Sequence, residues 1–207
     1  MIAVTGNTLG DSGLDRLFRD ATVQSMSRTD FLLIVGGCGV TEARADFQRR
    51  VEGYRQLPCS ILFLDSSSDD YDLLAEHPVF PWNGGKVQVI SRGILHLMRG
   101  QVFTIGGRRL FTMGGATTPG RTDLGKYHLW WPEQDIAPED LAEAEENLSK
   151  AGWKADFAFS STSPLDDRLR GIYGRLDCRN WFYPYQVTAA LSGGPAVPVG
   201  NTVISLC

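Results

Sequence analysis

Phe31-Leu32-Leu33-Ile34-Val35, followed at once by Gly36-Gly37-Cys38-Gly39, is the stretch on which the fold turns. A run that is apolar at every position suits a strand covered on both faces, as in the interior of a parallel sheet. The glycines then end it in a tight loop. Working outward, Ile2-Ala3-Val4-Thr5 and Ile61-Leu62-Phe63-Leu64-Asp65 read the same way. Between the three lie two stripes at helical spacing. Leu14, Leu17, Phe18 and Ala21 form one, with Asp11 or Ser12 as its expected N-cap. Ala43, Phe47, Val51 and Tyr54 form the other, with Thr41 as its expected cap and Pro58 beyond its end. This β-α-β-α-β order predicts a largely parallel sheet with helices against it.

The middle of the chain changes character. Lys86–Ile90, Gly93–Leu97, Gln101–Ile105 and Arg108–Met113 read as short strands, with Asn83-Gly84-Gly85 and Gly106-Gly107 as turns. An antiparallel meander is expected here, supplying a second sheet. Pro138–Ala151 reads as a helix: Pro138 suits its first turn, Leu141, Ala144, Leu148 and Ala151 form a stripe, and Gly152 suits the C-terminal cap. Asp156–Ser160, Cys178–Tyr183 and Thr202–Leu206 are expected strands, and 192–200 a loop. The expected fold class is α/β: a two-sheet β sandwich flanked by helices, in a single domain spanning 1–207.

Composition excludes several functions. The chain has 207 residues, 43% of them hydrophobic, which suffices for an ordinary packed core. Its net charge of −4 argues against a nucleic-acid or anionic-membrane surface. Arg168, Arg170, Arg175 and Arg179 interleave with Asp166, Asp167 and Asp177, as on a solvated face. No apolar run is long enough to span a membrane. The N-terminus enters a strand without a basic leader, and the four cysteines lack paired short spacing. A cytoplasmic protein with reduced thiols is the expectation.

Ligands of open α/β sheets collect outside the carboxyl ends of the strands. The loops there are Gly6-Asn7-Thr8-Leu9-Gly10-Asp11, Gly36-Gly37 and Ser66-Ser67-Ser68-Asp69. In order and spacing they resemble the GDxHG, GD and GNHE loops of the calcineurin-like metallophosphoesterases. Phe159-Ser160-Ser161-Thr162-Ser163-Pro164 resembles the THTAP segment of that family. Trp181-Phe182-Tyr183-Pro184-Tyr185-Gln186-Val187 resembles, more loosely, its WxxGHxH segment. One bacterial subgroup is matched further by Pro81-Trp82-Asn83-Gly84-Gly85-Lys86-Val87, by 96–103, by 110–116 and by Trp130-Trp131. The resemblance covers Met1 to about Val187. It implies a four-layer αββα arrangement and, in an active member, two divalent metals.

The metal-binding side chains are replaced. Asn7 stands for Asp, Leu9 for His, Gly37 for the bridging Asp, Ser67 for Asn, and Ser68 for the His that protonates the leaving group. Ser161, Tyr185 and Val187 stand for further His. A two-metal site needs carboxylates to offset the repulsion between its cations, with imidazole or amide groups completing each shell. Hydrocarbon and glycine supply neither. The three histidines, His77, His96 and His128, fall outside the matched loops.

Other residues keep two readings each. Asp11, Asp65 and Asp69 could hold one hard cation through oxygen, or could cap a helix and support a turn. Arg99, Arg121 and His128 could line the cleft toward a ligand, the arginines through phosphate, or serve packing and ion pairs. The serine clusters at 66–68 and 160–163 offer a neutral hydrogen-bonding pocket or only turn chemistry. Cys38 at a strand end has no flanking base to activate it.

The expected function is therefore that of a catalytically inactive metallophosphoesterase-like pseudoenzyme, a binding or regulatory protein without metal or other cofactor. Its vestigial cleft is formed by Asn7, Leu9, Gly37, Ser67, Ser68, Ser161 and Tyr185, and its partner is a protein or a small ligand. The alternatives are a residual metal-dependent phosphoesterase using Asp11, Asp65 and Asp69, and a purely structural subunit.

Overall fold

The computed structural model describes residues 1–116, 131–185 and 194–206. The opening stretch forms strand β2 (Phe31–Ile34), flanked in space by the parallel strands β1 (Ile2–Thr5) and β3 (Ser60–Phe63). Helices α1 (Gly10–Arg19), α2 (Ala21–Gln24) and α3 (Phe47–Arg55) connect them. After β3 come α4 (Tyr71–Ala75), β4 (Val79–Trp82), β5 (Gly85–Ser91), β6 (Ile94–Leu97), β7 (Gln101–Ile105) and β8 (Arg108–Met113). The chain ends with α5 (Pro138–Lys150), β9 (Lys154–Ser160), α6 (Arg170–Tyr173), β10 (Asp177–Pro184), β11 (Ala196–Val199) and β12 (Ile204–Leu206).

Two mixed sheets result. One has seven strands in the order β12-β1-β2-β3-β6-β5-β4, the other five in the order β11-β10-β9-β8-β7. The period-two alternation of strand side chains divides the core. Leu33, Leu62 and Val4 face the other sheet and meet Phe103, Leu110, Phe159 and Phe182. Leu32, Ile34, Ile61 and Phe63 point the other way, onto Leu17, Val51 and Tyr54 of the helices. On the far side Phe111, Ala158 and Trp181 pack against Ala144 and Leu148 of α5 and Ile172 of α6. The molecule is an α/β sandwich with helices on both outer faces.

Four local expectations are corrected. The middle strands are not one meander in a second sheet: β6 pairs in parallel with β3, carrying β5 and β4 into the first sheet, while β7 and β8 join the second. Met98-Arg99-Gly100 is where the chain changes sheets. The stretch 192–200 contains a strand, β11, which Pro195 and Pro198 disguise; it is an edge strand, where proline is tolerated. The N-cap of α1 is Leu9, and Asp11 lies in the first turn. Thr41 does not cap α3, which follows a 3₁₀ turn at Arg44–Asp46; its hydroxyl donates to Asp69 instead.

Candidate functional site

The loops after β1, β2, β3 and β9 converge at the carboxyl ends of the parallel strands. Asn7, Leu9, Gly37, Ser67, Ser68 and Ser161 line one cavity of about 280 Å³, joined by Ser66, Thr162 and Asp166. Tyr185 does not line it; the residue is 52% exposed just past the end of β10. Arg121, His128 and Val187 lie outside the described residues.

Each loop is tied down by its own polar groups. The Gly37 N–H donates to Asn7 Oδ1 at 2.8 Å, and Thr8 N–H donates to the Gly37 carbonyl at 2.8 Å. Asn7 is thus spent on holding two loops together. Its carboxamide also dictates the neighbouring glycine, because a Cβ on Gly36 would stand 2.2 Å from Asn7 Oδ1. At Gly37 a Cβ would stand 2.5 Å from Leu9 Cδ2 and 2.6 Å from Ser68 Oγ. The volume a longer side chain would occupy there is filled by hydrocarbon and hydroxyl.

Ser66 Oγ bonds Ser68 Oγ at 2.9 Å and donates to Asp69 Oδ2 at 3.0 Å, while Ser66 N–H donates to the same oxygen at 2.7 Å. Across the cavity, Trp181 Nε1 donates to Ser160 Oγ at 2.8 Å, which donates in turn to the Thr162 carbonyl. Ser161 is only 3% exposed, and among the described residues its Oγ has no hydrogen-bond partner. A buried hydroxyl left unpaired costs about 1–3 kcal/mol, and this one belongs to a cavity-lining residue. Among the described residues the lining contains one acid, Asp166, and no cation.

The three carboxylates proposed for a single cation are not assembled. Asp11 is 69% exposed in its side chain and pairs with Arg49, which holds its carboxyl below the usual range. Asp69 is fully buried and accepts from Ser66 and Thr41. Burial pushes its carboxyl up to about 6 against those hydrogen bonds. Asp65 faces away from the loops, into a second cavity of about 420 Å³ that it lines with Tyr71, His96 and Arg99.

Every oxygen of Asp65 is spoken for. Oδ1 lies 3.1 Å from His96 Nε2. Oδ2 accepts from Arg99 Nε at 2.9 Å and from Tyr71 Oη at 2.9 Å. Burial would push this carboxyl up, but Arg99 and His96 outweigh it and hold it well below the carboxylate range. Arg99 is equally committed, donating to Asp140 Oδ2 and to the carbonyls of Glu133 and Asp135. The arginine singled out for a phosphate is thus an internal brace joining the turn after β6 to Asp65 and to α5. Among the described residues no three His, Cys, Asp or Glu side chains converge as a metal-holding group.

Cys38 is wholly buried, and burial pushes its thiol up to about 12, so it is no nucleophile near neutral pH. Sequence reasoning missed Ala116, Asp166 and Pro184 in the cavity wall, because they lie on segments whose approach to the first sheet is decided by the second. It also missed Tyr71 and Gln88 as partners of the buried acid and histidine. Gln88 Oε1 lies 2.7 Å from His96 Nδ1, and only the β5–β6 register reveals that pairing.

No protein-family model matches the chain. No curated protein matches it. Among solved structures, it is similar to the protein of unknown function AQ665 from Aquifex aeolicus. That likeness is at 12% identity over 86% of this chain and 87% of that one, with a TM-score of 0.45. A likeness at that level carries no argument about activity. Among the described residues no helix is long and apolar enough to cross a membrane.

Proposed function

We propose that this chain is a non-hydrolysing binding protein on a calcineurin-like metallophosphoesterase frame, with the four-layer αββα arrangement of that family. The two sheets with helices on both outer faces, and the convergence of the matched loops on one cavity, support the reading. One observation carries it. The position matched to the bridging aspartate is Gly37, and the space beside it is occupied by Leu9 Cδ2 and Ser68 Oγ. Two divalent cations need anionic oxygens and imidazoles there. An amide already bound to backbone, hydroxyls bonded to one another and an isobutyl group do not fit a metal pair.

The cavity suits instead a small uncharged ligand rich in hydroxyls or amides. Its lining is hydroxylated, it holds no cation among the described residues, and the Ser161 hydroxyl is left to be satisfied. Purified protein incubated with manganese and then desalted should carry no stoichiometric Mn, Fe or Zn. It should also leave bis-p-nitrophenyl phosphate uncleaved above the buffer rate. Near-stoichiometric metal together with turnover would overturn the reading.

A further inference from the structure

The opposite end of the parallel strands carries a cluster that the loop cavity does not use. Arg28 precedes β2, Arg55 closes α3, Ser60 opens β3, and Arg92-Gly93 form the turn between β5 and β6. Together they line a cavity of about 440 Å³. Among the described residues the lining is three arginines, a serine and a glycine, with no carboxylate, in a chain whose net charge is −4.

Like charges gathered in one place repel unless something supplies the opposite sign. The chain supplies little. Arg55 meets Glu52 at 3.5 Å, but both side chains are about half exposed or more, and such pairs contribute little. Nearby Asp30 is committed to the N-terminal ammonium and to Ser27. Among the described residues Arg28 has no carboxylate partner. Its Nη2 donates to the Arg55 carbonyl at 2.7 Å and its Nη1 to the Cys59 carbonyl at 3.4 Å. Two backbone oxygens therefore orient the guanidinium, and among the described residues its other N–H donors stay uncommitted. Arg92 has no ion pair or hydrogen bond among the described residues. Gly93 takes φ of 78°, which keeps the turn tight, and the absent Cβ leaves room beside Ser60 Oγ.

We propose that this cavity binds a small molecule through a diphosphate group. Arg28 serves as the pre-oriented fork, and Arg55 and Arg92 as the mobile arms that close on it. The planar guanidinium matches two phosphate oxygens at once, and several such forks suit a group with several negative charges. The volume exceeds what one phosphate needs and lies in the range of small-molecule sites. The acidic balance of the whole chain disfavours a nucleic-acid strand as occupant.

Calorimetry of the full chain at low salt, about 50 mM so that screening is modest, tests this with inorganic pyrophosphate and with ADP. Saturable one-to-one binding of pyrophosphate is expected, with ADP competing for the same site. Tighter binding of ADP identifies a nucleoside diphosphate as the source of the group; equal binding identifies the diphosphate alone. Loss of one charge-assisted contact in Arg92→Gln should weaken binding about tenfold, and Arg28→Gln at least as much. Arg92 has no partner to lose among the described residues, so the melting temperature of Arg92→Gln should match that of the parent. Ser161→Val, at the other end of the strands, should bind pyrophosphate normally, so failure of the loop-cavity reading leaves this site standing. The proposal is overturned by absence of saturable binding at millimolar pyrophosphate, or by unchanged affinity in both arginine variants. A single-stranded oligonucleotide that outcompetes pyrophosphate with steep salt dependence overturns it too.

Discussion

Asp65 and Asp69 are four residues apart in one loop, both fully buried, and their environments drive them in opposite directions. Asp65 sits against Arg99 and His96, which keep it ionised; Asp69 has only neutral donors, so burial dominates and raises it to about 6. The folded protein therefore holds the Asp69 proton more tightly than the unfolded chain, where an aspartate titrates near about 3.9. Between about pH 4 and pH 6 the native state binds more protons than the unfolded one, so stability falls as the pH rises through that window. The shift corresponds to roughly 2–3 kcal/mol. Asp65 acts with the other sign: its contribution is present above about pH 4 and is lost as the pH falls below it. Urea midpoints measured from pH 4 to pH 7 should decline for the parent and flatten for Asp69→Asn. A parent midpoint that climbs across the window would show that Asp69 is ionised at low cost.

At the scale of elements, the decisive joint is the turn between β6 and β7, where the chain leaves one sheet for the other. Gly100 takes φ of 68°, and a Cβ there would lie 2.8 Å from the Ala144 nitrogen and 2.9 Å from the Asp140 oxygen of α5. Both neighbours are backbone, so neither moves without displacing the helix. The Gly100 carbonyl also accepts from Asn147 Nδ2 at 2.9 Å, and Arg99 beside it is bound to Asp140. Gly100→Ala should cost about 3 kcal/mol, combining the left-handed backbone penalty with overpacking. Chemical denaturation of that variant measures it, and a cost under about 1 kcal/mol would mean that α5 is free to shift. By contrast Gly106 and Gly107 form a hairpin turn with open space where their side chains would be, so their role is backbone conformation alone.

For the whole molecule, a ligand that binds only the native state raises the melting temperature in proportion to its occupancy. A metallophosphoesterase centre taking two cations would couple four loops at once and should stabilise the fold strongly. Here three of the loops are already joined, by Asn7 to Gly37, by Thr8 to Gly37 and by Thr41 to Asp69. Millimolar manganese or zinc should therefore leave the melting temperature where it is, read by differential scanning fluorimetry against a chelated control. An upward shift of several degrees that saturates with metal would contradict the binding-protein reading.

The apolar runs 31–35 and 61–64 determined the parallel centre of the mixed first sheet, because a strand buried on both faces must be hydrophobic throughout, whatever covers it. The loop residues Asn7, Leu9, Gly37 and Ser68 were legible as one cavity for a related reason: parallel strands deliver their C-terminal loops to the same end, whereas Ser161, after β9 of the second sheet, was placed with them by the family resemblance. The partners of the polar residues were not legible. Asp65, Asp69 and Asp11 look alike in sequence, yet one meets Arg99 across 34 residues, one a nearby serine, and one a surface arginine. The arginines at 28, 55 and 92 look like scattered surface charge until three strand starts align them. Hydrophobic burial is periodic and local, so the chain states it residue by residue. Charge pairing depends on distances between segments, and these exist only once the two sheets have closed on each other.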